Sequence, residues 1–492
     1  MLYRTIRHNT PQGQKAEWFG LSVVGLLIGM VRVNKKHMAK QNLFSPIVDE
    51  DKLNPFFKLI LENPTSEPAR IMMGLIFQDF NDVDGNFIEQ FQTTGFDARI
   101  FELYLNACFA SNGFKIQRDF ARPDFLLEKD GVRFALEATT SNPNFAKQIN
   151  AIDKLLNLTR EEIDQRGNDE IPIRLGSPLF SKLNKKYWEL EHCKGTPFVI
   201  AIEAFHNETA LLFSDYSLAQ YLFGLRQFPI WSEEGNIIFN TQEVESHQLG
   251  EKVIPSNFFK QPNVEYVSAI LFSNSGTYSK FNRMGYQAGF HKGNINLQRI
   301  GGYYIPDKES TYIMPFHYDL DDLDSPSEEW GQGITYIHNP NALYPLPKTL
   351  FPNAGHIYLE EGILFNDYPT FHPQTSHTYT FHFSEVSLDF PNTHIISINK
   401  NEFVSYKKGK TQEAELLFDE KQWFADSKRN IIGALILDRQ DKEWAYVIFG
   451  KQTNGFFRLL EIKHSIKDRK TATAQVIDGM ETIYLSGQKT FD

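Results

Sequence analysis

The chain has 492 residues and a formal net charge of −11, with 41% hydrophobic and 23% charged residues. This composition is typical of a soluble globular protein of roughly two to four domains. The excess of acids excludes a general nucleic-acid coat protein, so any contact with nucleic acid has to be local or assisted by a metal ion.

The N-terminal segment, residues 1–37, is predicted to be a non-native extension, with synthesis starting at Met38. The uncharged stretch within residues 18–33 is shorter than the roughly 18 residues that a spanning helix needs, and no signal-peptide cleavage site follows it. An N-terminal membrane tether is the alternative. Cys108 and Cys193 have no metal-binding spacing, and we interpret them as reduced core thiols of a cytoplasmic protein.

Residues 38–95 are predicted to form a helical N-terminal region, because apolar residues recur there at helical spacing. Within it, residues 79–87 have the sequence DFNDVDGNF, which lacks the ligand spacing of an EF-hand and predicts a turn. A longer helix is predicted next, and Gly113 is a natural stop for it.

Three strands are predicted after this helix, with the sequences FKIQRDF, PDFLLEKDG and VRFALEATT. The Asp130-Gly131 pair indicates a hairpin between the second and the third strand. Two helices separated by a loop follow, and the second contains SPLFSKLNKKYW. Continuous apolar runs at residues 197–205 and 265–275 predict strands that are buried on both faces.

The remaining chain is predicted to be less regular. Residues 291–375 are interpreted as an irregular aromatic and acidic region, in which residues 319–329 form an exposed acidic loop. Residues 376–492 are predicted to be a small β-rich α+β module that ends in a helix. Residues 273–285, SNSGTYSKFNRMG, follow a buried strand; they either contact backbone phosphates or form an ordinary polar loop.

Two acids of the predicted hairpin carry the functional argument. Asp124 opens the second strand and Glu137 lies near the end of the third, so the two are near-opposite across the ladder. Opposite side chains have Cβ atoms about 5 Å apart, and two carboxylates that close repel each other unless one is protonated or a cation lies between them. Mg²⁺ or Mn²⁺ would relieve this repulsion, because hard cations prefer oxygen ligands.

This order of elements, with Glu102 on the preceding helix, the Pro-Asp pair and the acid in an apolar strand, resembles the PD-(D/E)XK nuclease superfamily. The resemblance covers roughly residues 96–275. It implies an α/β (α+β) fold with a restriction-endonuclease-like mixed sheet flanked by helices, and a nuclease core at residues 96–290. It also implies Asp124 and Glu137 as metal ligands, Mg²⁺ or Mn²⁺ as cofactor, and Glu102 as an extra ligand or an orienting group.

The sequence departs from the family pattern at Thr139, where the family has a lysine. In the family that lysine is expected to orient the attacking water and to stabilise the charged phosphate, and threonine cannot supply its positive charge. Either a lysine from elsewhere replaces it, or the fold binds nucleic acid without cutting it. The candidates are Lys182, which we place first, and then Lys147, Lys154, Lys185 and Lys186.

The resulting hypothesis is a cytoplasmic, metal-dependent endonuclease that acts on nucleic acid, with DNA favoured over RNA, in host defence. Residues 111–190 carry 13 Lys and Arg against 12 Asp and Glu, in a chain that is acidic elsewhere; this balance either serves phosphate contacts or belongs to an ordinary solvated helix surface. The resemblance further implies a homodimer, and no stable membrane partner is expected. The alternatives are a catalytically inactive nuclease-fold protein that binds nucleic acid or protein, and an interaction protein in which residues 291–492 act.

Overall fold

The computed structural model divides the chain into two compact units, residues 1–382 and residues 383–492. The residues that it describes are 42–141, 159–205, 210, 215–232, 237–291, 295–304, 313–321, 325–382, 394–398, 419–426, 428, 430–437, 443–455, 457–488 and 490–491. The predicted N-terminal extension and the candidates Lys147 and Lys154 lie outside these residues.

Helices form the start of the first unit, as the sequence predicts. They are α1 (Pro55–Glu62), α2 (Glu67–Asp79), α3 (Phe87–Gln92) and α4 (Phe96–Ser111). Asn54 caps α1, because its side chain accepts hydrogen bonds from the first amides of the helix. Between α2 and α3 the Asp82 carboxylate accepts hydrogen bonds from the amides of Gly85 and Phe87. The predicted turn is therefore present there.

The other elements of the first unit alternate strands with helices. In chain order they are β1 (Lys115–Gln117), β2 (Phe125–Lys129), β3 (Val132–Ser141), α5 (Arg160–Gln165), α6 (Ile171–Leu183), β4 (Phe198–Ala204), α7 (Asp215–Phe223), β5 (Leu225–Trp231), β6 (Ile237–Glu243), β7 (Ser246–Leu249), β8 (Lys252–Pro255), β9 (Ala269–Ser273), α8 (Tyr278–Gln287), β10 (Ile295–Tyr304), β11 (Ile313–Asp319), β12 (Ile334–His338), β13 (Gly355–Glu360), β14 (Ile363–Asp367) and β15 (His372–His382).

An eight-stranded mixed sheet lies at the centre of this unit, in the order β1-β2-β3-β4-β9-β12-β13-β14. The strands β3, β4 and β9 run parallel to one another, whereas β1, β2 and β3 are antiparallel neighbours. Helix α4 covers one face of the sheet, and α6 and α7 cover the other. Helices on both faces explain why β4 and β9 are buried along their whole length, as their apolar sequences predict.

The hairpin between β2 and β3 has the predicted turn and register. Phe125 pairs with Leu136 and Lys129 pairs with Val132. Asp130 and Gly131 connect the strands with φ angles of 51° and 76°, which is the left-handed conformation that a two-residue hairpin turn requires.

Helix α6 corrects the prediction of a loop before residue 177. A π-helical turn, Arg166–Glu170, joins α5 directly to α6, which contains Pro178 in its interior. An interior proline costs roughly 3 kcal/mol or more. The apolar stripe of α6 outweighs this cost, because each of its fully buried side chains contributes about 1.5–3 kcal/mol. The stripe consists of Leu175, Leu179 and Leu183, which are spaced by four residues and buried against the sheet.

The region predicted to be irregular, residues 291–375, is instead largely strand. It contributes β12, β13 and β14 to the central sheet, while β10 and β11 form a three-stranded sheet with β15. The first unit therefore continues beyond residues 290 and 375 to residue 382. The strands β12, β13 and β14 have only five or six residues each, too short for a clear alternation of apolar and polar residues.

The second unit contains a five-stranded antiparallel sheet and one helix among its described residues. Its elements are β16 (Ile395–Ile398), β17 (Asp419–Asp426), β18 (Ile431–Leu437), β19 (Trp444–Lys451), β20 (Phe457–Ile466) and α9 (Arg469–Leu485). This agrees with the predicted β-rich module that ends in a helix. Across the described parts of both units, no helix combines the length and apolar character needed to cross a bilayer.

Candidate active site

Asp124 and Glu137 face each other at the edge of the β2–β3 hairpin. Asp124 directly precedes β2, and the hairpin register places it opposite Glu137 on β3. The Asp124 amide donates a hydrogen bond to Glu137 Oε2 at 3.2 Å, and the Ala138 amide donates one to Asp124 Oδ2 at 2.7 Å. The backbone of the hairpin thus fixes both carboxylates in one place.

Lys182 extends from the last turn of α6 to the same two acids. Its ammonium nitrogen lies 2.6 Å from Glu137 Oε1, and the side chains of Lys182 and Glu137 are 18% and 7% exposed. Lys182 directly precedes the buried Leu183, so the packing of α6 on the sheet sets its position. The lysine therefore lies on a helix, as its predicted segment does, and reaches the site from the end of that helix.

The other described lysine candidates do not reach this position. Lys185 is exposed, and Lys186 is paired with Glu189 at 3.6 Å on the surface. Thr139 is half-buried on β3, and residues two apart on a strand share a face. Thr139 therefore lies on the same side of the sheet as Glu137, while the positive charge comes from Lys182.

Tyr187 is part of the site, although the sequence analysis did not identify it. Its hydroxyl donates a hydrogen bond to Glu137 Oε1 at 2.6 Å, and its side chain is 2% exposed. Burial and then the Glu137 charge raise the pKa of Tyr187 well above its ordinary value, so Tyr187 stays a donor at neutral pH. The only local signal was the presence of Tyr187 in the segment KKYW, close to Lys182. Its contact with Glu137 joins positions 50 residues apart, which local sequence patterns do not predict.

Glu102 lies close to the pair and is held by two arginines that the sequence analysis also missed. Arg99 is 2.7 Å from Oε1 and Arg118 is 3.2 Å from Oε2. Burial raises the pKa of Glu102, while the two guanidinium groups act in the opposite direction. Each Glu102 oxygen forms an ion pair with a guanidinium group, whereas Glu137 has a cation on only one of its oxygens, so this arrangement favours the orienting role for Glu102 over the role of metal ligand.

The three carboxyl groups create an electrostatic conflict at Asp124. Burial, followed by the charges of Glu102 and Glu137, raises the pKa of Asp124 well above its ordinary value. The Ala138 amide and the Lys182 charge only partly oppose this rise. A cation bound beside Asp124 would remove the conflict.

The donor set fits a small hard cation held by few protein ligands. No group of three or more His, Cys, Asp or Glu side chains is arranged to hold a metal ion in the described ranges of the chain. Mg²⁺ usually keeps several waters and uses one or two carboxylates together with substrate phosphate oxygens. The half-buried Asp124 and its neighbour Glu137 meet that requirement, whereas a closed protein cage is not present among these residues.

The cations of residues 273–285 are directed into the protein. Lys280 and Arg283 are buried and bind the Glu328 carboxylate at 2.6 and 3.1 Å, and Arg299 joins them at 2.9 Å. The segment that supplies Glu328 was predicted to be an exposed acidic loop, yet this carboxylate is 3% exposed. These contacts favour the interpretation of residues 273–285 as a structural polar segment.

Comparisons of the chain with protein-family models, with curated proteins and with solved structures find no match.

Proposed function

We propose that the protein is a metal-dependent endonuclease that hydrolyses phosphodiester bonds of nucleic acid, with DNA favoured. One observation carries the proposal: the Lys182 ammonium lies 2.6 Å from Glu137, beside Asp124. The PD-(D/E)XK pattern combines two carboxylates with one lysine. Asp124, Glu137 and Lys182 supply these groups, although Thr139 occupies the usual position of the lysine. The hairpin in a mixed sheet flanked by helices supports a restriction-endonuclease-like core.

Asp124 and Glu137 would hold Mg²⁺ or Mn²⁺. When bound, such an ion lowers the pKa of a water nucleophile and stabilises the charge that develops on the phosphate. The conflict at Asp124 supports this assignment, because a protein that buries acids together without a cation forces a carboxyl to stay protonated.

Lys182 would stabilise the negative charge of the phosphate in the transition state and orient the attacking water. It is suited to this role because the α6 backbone and the Glu137 carboxylate hold it in place before substrate binds. Preorganised charge of this kind needs no rearrangement at the moment of reaction. Tyr187 would keep Glu137 in its observed orientation, and Glu102 with its two arginines would support the site from the α4 side.

The location and the partners form the second part of the proposal. We propose that DNA is the partner and that the protein is cytoplasmic. Its two cysteines are buried and free, which supports the cytoplasmic location. A homodimer that cuts both strands, and a role in host defence, rest on the resemblance alone.

Cleavage assays test the proposal directly. Supercoiled plasmid, single-stranded DNA and RNA are incubated with the full chain and Mg²⁺ or Mn²⁺, beside an Asp124→Ala/Glu137→Ala variant. We expect metal-dependent cleavage by the wild type and none by the variant. An Asp49→Ala/Glu50→Ala variant is a matched control, because both acids are exposed on the surface. Equal cleavage by the wild type and the site variant would contradict the proposal.

A nuclease-fold protein that binds without cutting is the second candidate. The observation that favours it is the small donor set, since Glu102 is engaged by two arginines and no three-acid metal group occurs in the described chain. Calorimetric titration with Mn²⁺ separates the two. Binding of nucleic acid by folded protein without Mn²⁺ binding or cleavage would establish this candidate.

A further inference from the structure

An exposed aromatic ring lies four residues before Asp124 in the chain. Phe120 lies in the connection that leads from β1 to Asp124, and 44% of its side chain is exposed. Its ring stacks on the His192 ring with centroids 3.8 Å apart and planes inclined by 5°. His192 also donates a hydrogen bond from Nε2 to the Arg122 carbonyl at 2.7 Å. The ring is therefore exposed and held in a fixed orientation.

Cationic residues accompany this aromatic pair. Arg122, Lys185 and Lys186 are exposed on the same two segments. Residues 118–124 and 182–194 together carry six Lys or Arg against four Asp or Glu, in a chain whose net charge is −11. A local positive excess in an acidic protein is the charge pattern expected where a phosphate backbone binds.

Short stretches of chain connect the aromatic pair to the catalytic group. Phe120 and Arg122 lie four and two residues before Asp124, whose amide contacts Glu137. His192 follows Tyr187, which also contacts Glu137. Both members of the stack are thus attached to residues that bind the same carboxylate.

We infer that Phe120, backed by His192, stacks on an unpaired base next to the scissile phosphate, so that the substrate is single-stranded at this point. The inference rests on the nucleic-acid substrate of the proposed function. The face of a base is free for stacking only when the base is unpaired or at an end. Stacking on an aromatic ring tolerates every base, so the platform selects single strands without reading sequence.

Binding measurements in EDTA test the inference without cleavage. Fluorescence anisotropy follows the full chain binding to a labelled single strand of about 16 nucleotides, to its duplex, and to the same strand with abasic positions. We expect Phe120→Ala to weaken binding to the intact single strand about tenfold, with little change for the duplex and the abasic strand. Phe120→Trp should retain binding, because it keeps a stacking surface.

Phe56→Ala is the matched control, since Phe56 on α1 is also 44% exposed. This variant should bind the single strand as tightly as the wild type does. Unchanged single-strand binding by Phe120→Ala would overturn the inference. So would an equal loss for the intact and the abasic strand, or a loss with Phe120→Trp as large as with Phe120→Ala. Any of these results would mean that the Phe120 ring does not stack on a base and has another role, such as contact with a protein partner.

The two proposals can fail separately. If the wild type cleaves in Mn²⁺ but Phe120→Ala leaves all binding unchanged, the nuclease stands and the stacking platform is wrong. If the wild type cleaves no substrate but Phe120→Ala selectively weakens binding to the single strand, the platform stands and the protein is a binding protein.

Discussion

At the scale of residues, Glu137 is the centre of the candidate site. Its Oε1 accepts hydrogen bonds from the Lys182 ammonium and the Tyr187 hydroxyl, and its Oε2 accepts one from the Asp124 amide. Hydrogen bonds to a charged group contribute about 1.5–3 kcal/mol each. The orientation of Glu137 is therefore set by several contacts, and each can be removed separately.

Tyr187→Phe removes one of these contacts and leaves the pair of Glu137 and Lys182 in place. We expect cleavage to fall about tenfold at limiting Mn²⁺, because a mobile Glu137 holds the ion less well. The measurement is cleavage rate against Mn²⁺ concentration, and the half-saturating concentration should rise. Tyr446→Phe removes a similar Tyr–Glu bond of 2.5 Å in the second unit and should change neither value. Equal effects of the two variants would contradict the positioning role.

The raised pKa of Asp124 predicts a dependence of stability on pH. The native carboxyl keeps its proton to a higher pH than the unfolded one. The contribution of Asp124 to the free energy of unfolding of the metal-free protein therefore falls as pH rises from about 4 through the native pKa of this carboxyl. Asp124→Asn lacks this penalty, so at pH 7 we expect its Tm without metal to exceed that of the wild type by about 2 °C or more.

Thermal unfolding from pH 4 to pH 8, with and without Mg²⁺, is the measurement. The Tm advantage of Asp124→Asn should shrink toward pH 4, where the unfolded wild-type carboxyl begins to be protonated as well. Mg²⁺ should raise the Tm of the wild type and not that of the variant, because ligands that bind the native state stabilise it. A wild type more stable than Asp124→Asn without metal at pH 7 would contradict the electrostatic conflict.

At the scale of elements, the position of Lys182 depends on how closely α6 approaches α7. Gly176 of α6 makes this approach possible, since a Cβ there would lie 2.8 Å from the Tyr221 ring and 3.1 Å from Ile254. A larger residue at this position requires either the Tyr221 side chain or helix α6 to shift. A shift of that helix moves Lys182 relative to Glu137, so the element couples core packing to the site.

Gly176→Ala tests this coupling. We expect the free energy of unfolding to fall by about 1–3 kcal/mol, as is usual when a packed core is overfilled, and cleavage to decrease. Gly74→Ala is the control, because a Cβ added to Gly74 of α2 would meet no atom within 4 Å; it should stabilise the protein by about 0.5–1 kcal/mol. Urea unfolding gives both values. A stabilising Gly176→Ala would contradict the close-packed position.

Local sequence signals predicted the hairpin and its acids, because turn geometry and strand register are determined by neighbouring residues. Asp130-Gly131 specified the turn, and the turn placed Asp124 opposite Glu137. Arg99, Arg118 and Tyr187 were missed, since they reach the site through tertiary contacts. The short strands β12, β13 and β14 were missed as well, because each is specified by its neighbours in the sheet more than by its own sequence.

At the scale of the whole molecule, the candidate site belongs to one of the two units. Asp124, Glu137, Lys182 and Glu102 all lie in residues 1–382. The second unit has its own sheet, helix and apolar core. We therefore expect the chemistry to be separable from whatever role residues 383–492 have.

A chain that ends at residue 382 tests this division. We expect it to fold cooperatively and to cleave naked substrate at about the rate of the full chain, because it retains the complete candidate site. Circular dichroism and the cleavage assay are the measurements. Folded but inactive protein would show that residues 383–492 take part in catalysis, in line with the hypothesis that the C-terminal part does the main work.

In the proposed mechanism Lys182 supplies the positive charge that Thr139 cannot. The most direct measurement is the rate of Mn²⁺-dependent cleavage by Lys182→Ala beside Lys52→Ala, whose lysine is exposed on the surface in the N-terminal region. We predict that Lys182→Ala loses about 10²- to 10³-fold in rate while it stays folded and binds Mn²⁺, and that Lys52→Ala stays within about twofold of the wild type. Cleavage by folded Lys182→Ala at the wild-type rate would show that Lys182 does not supply the catalytic charge.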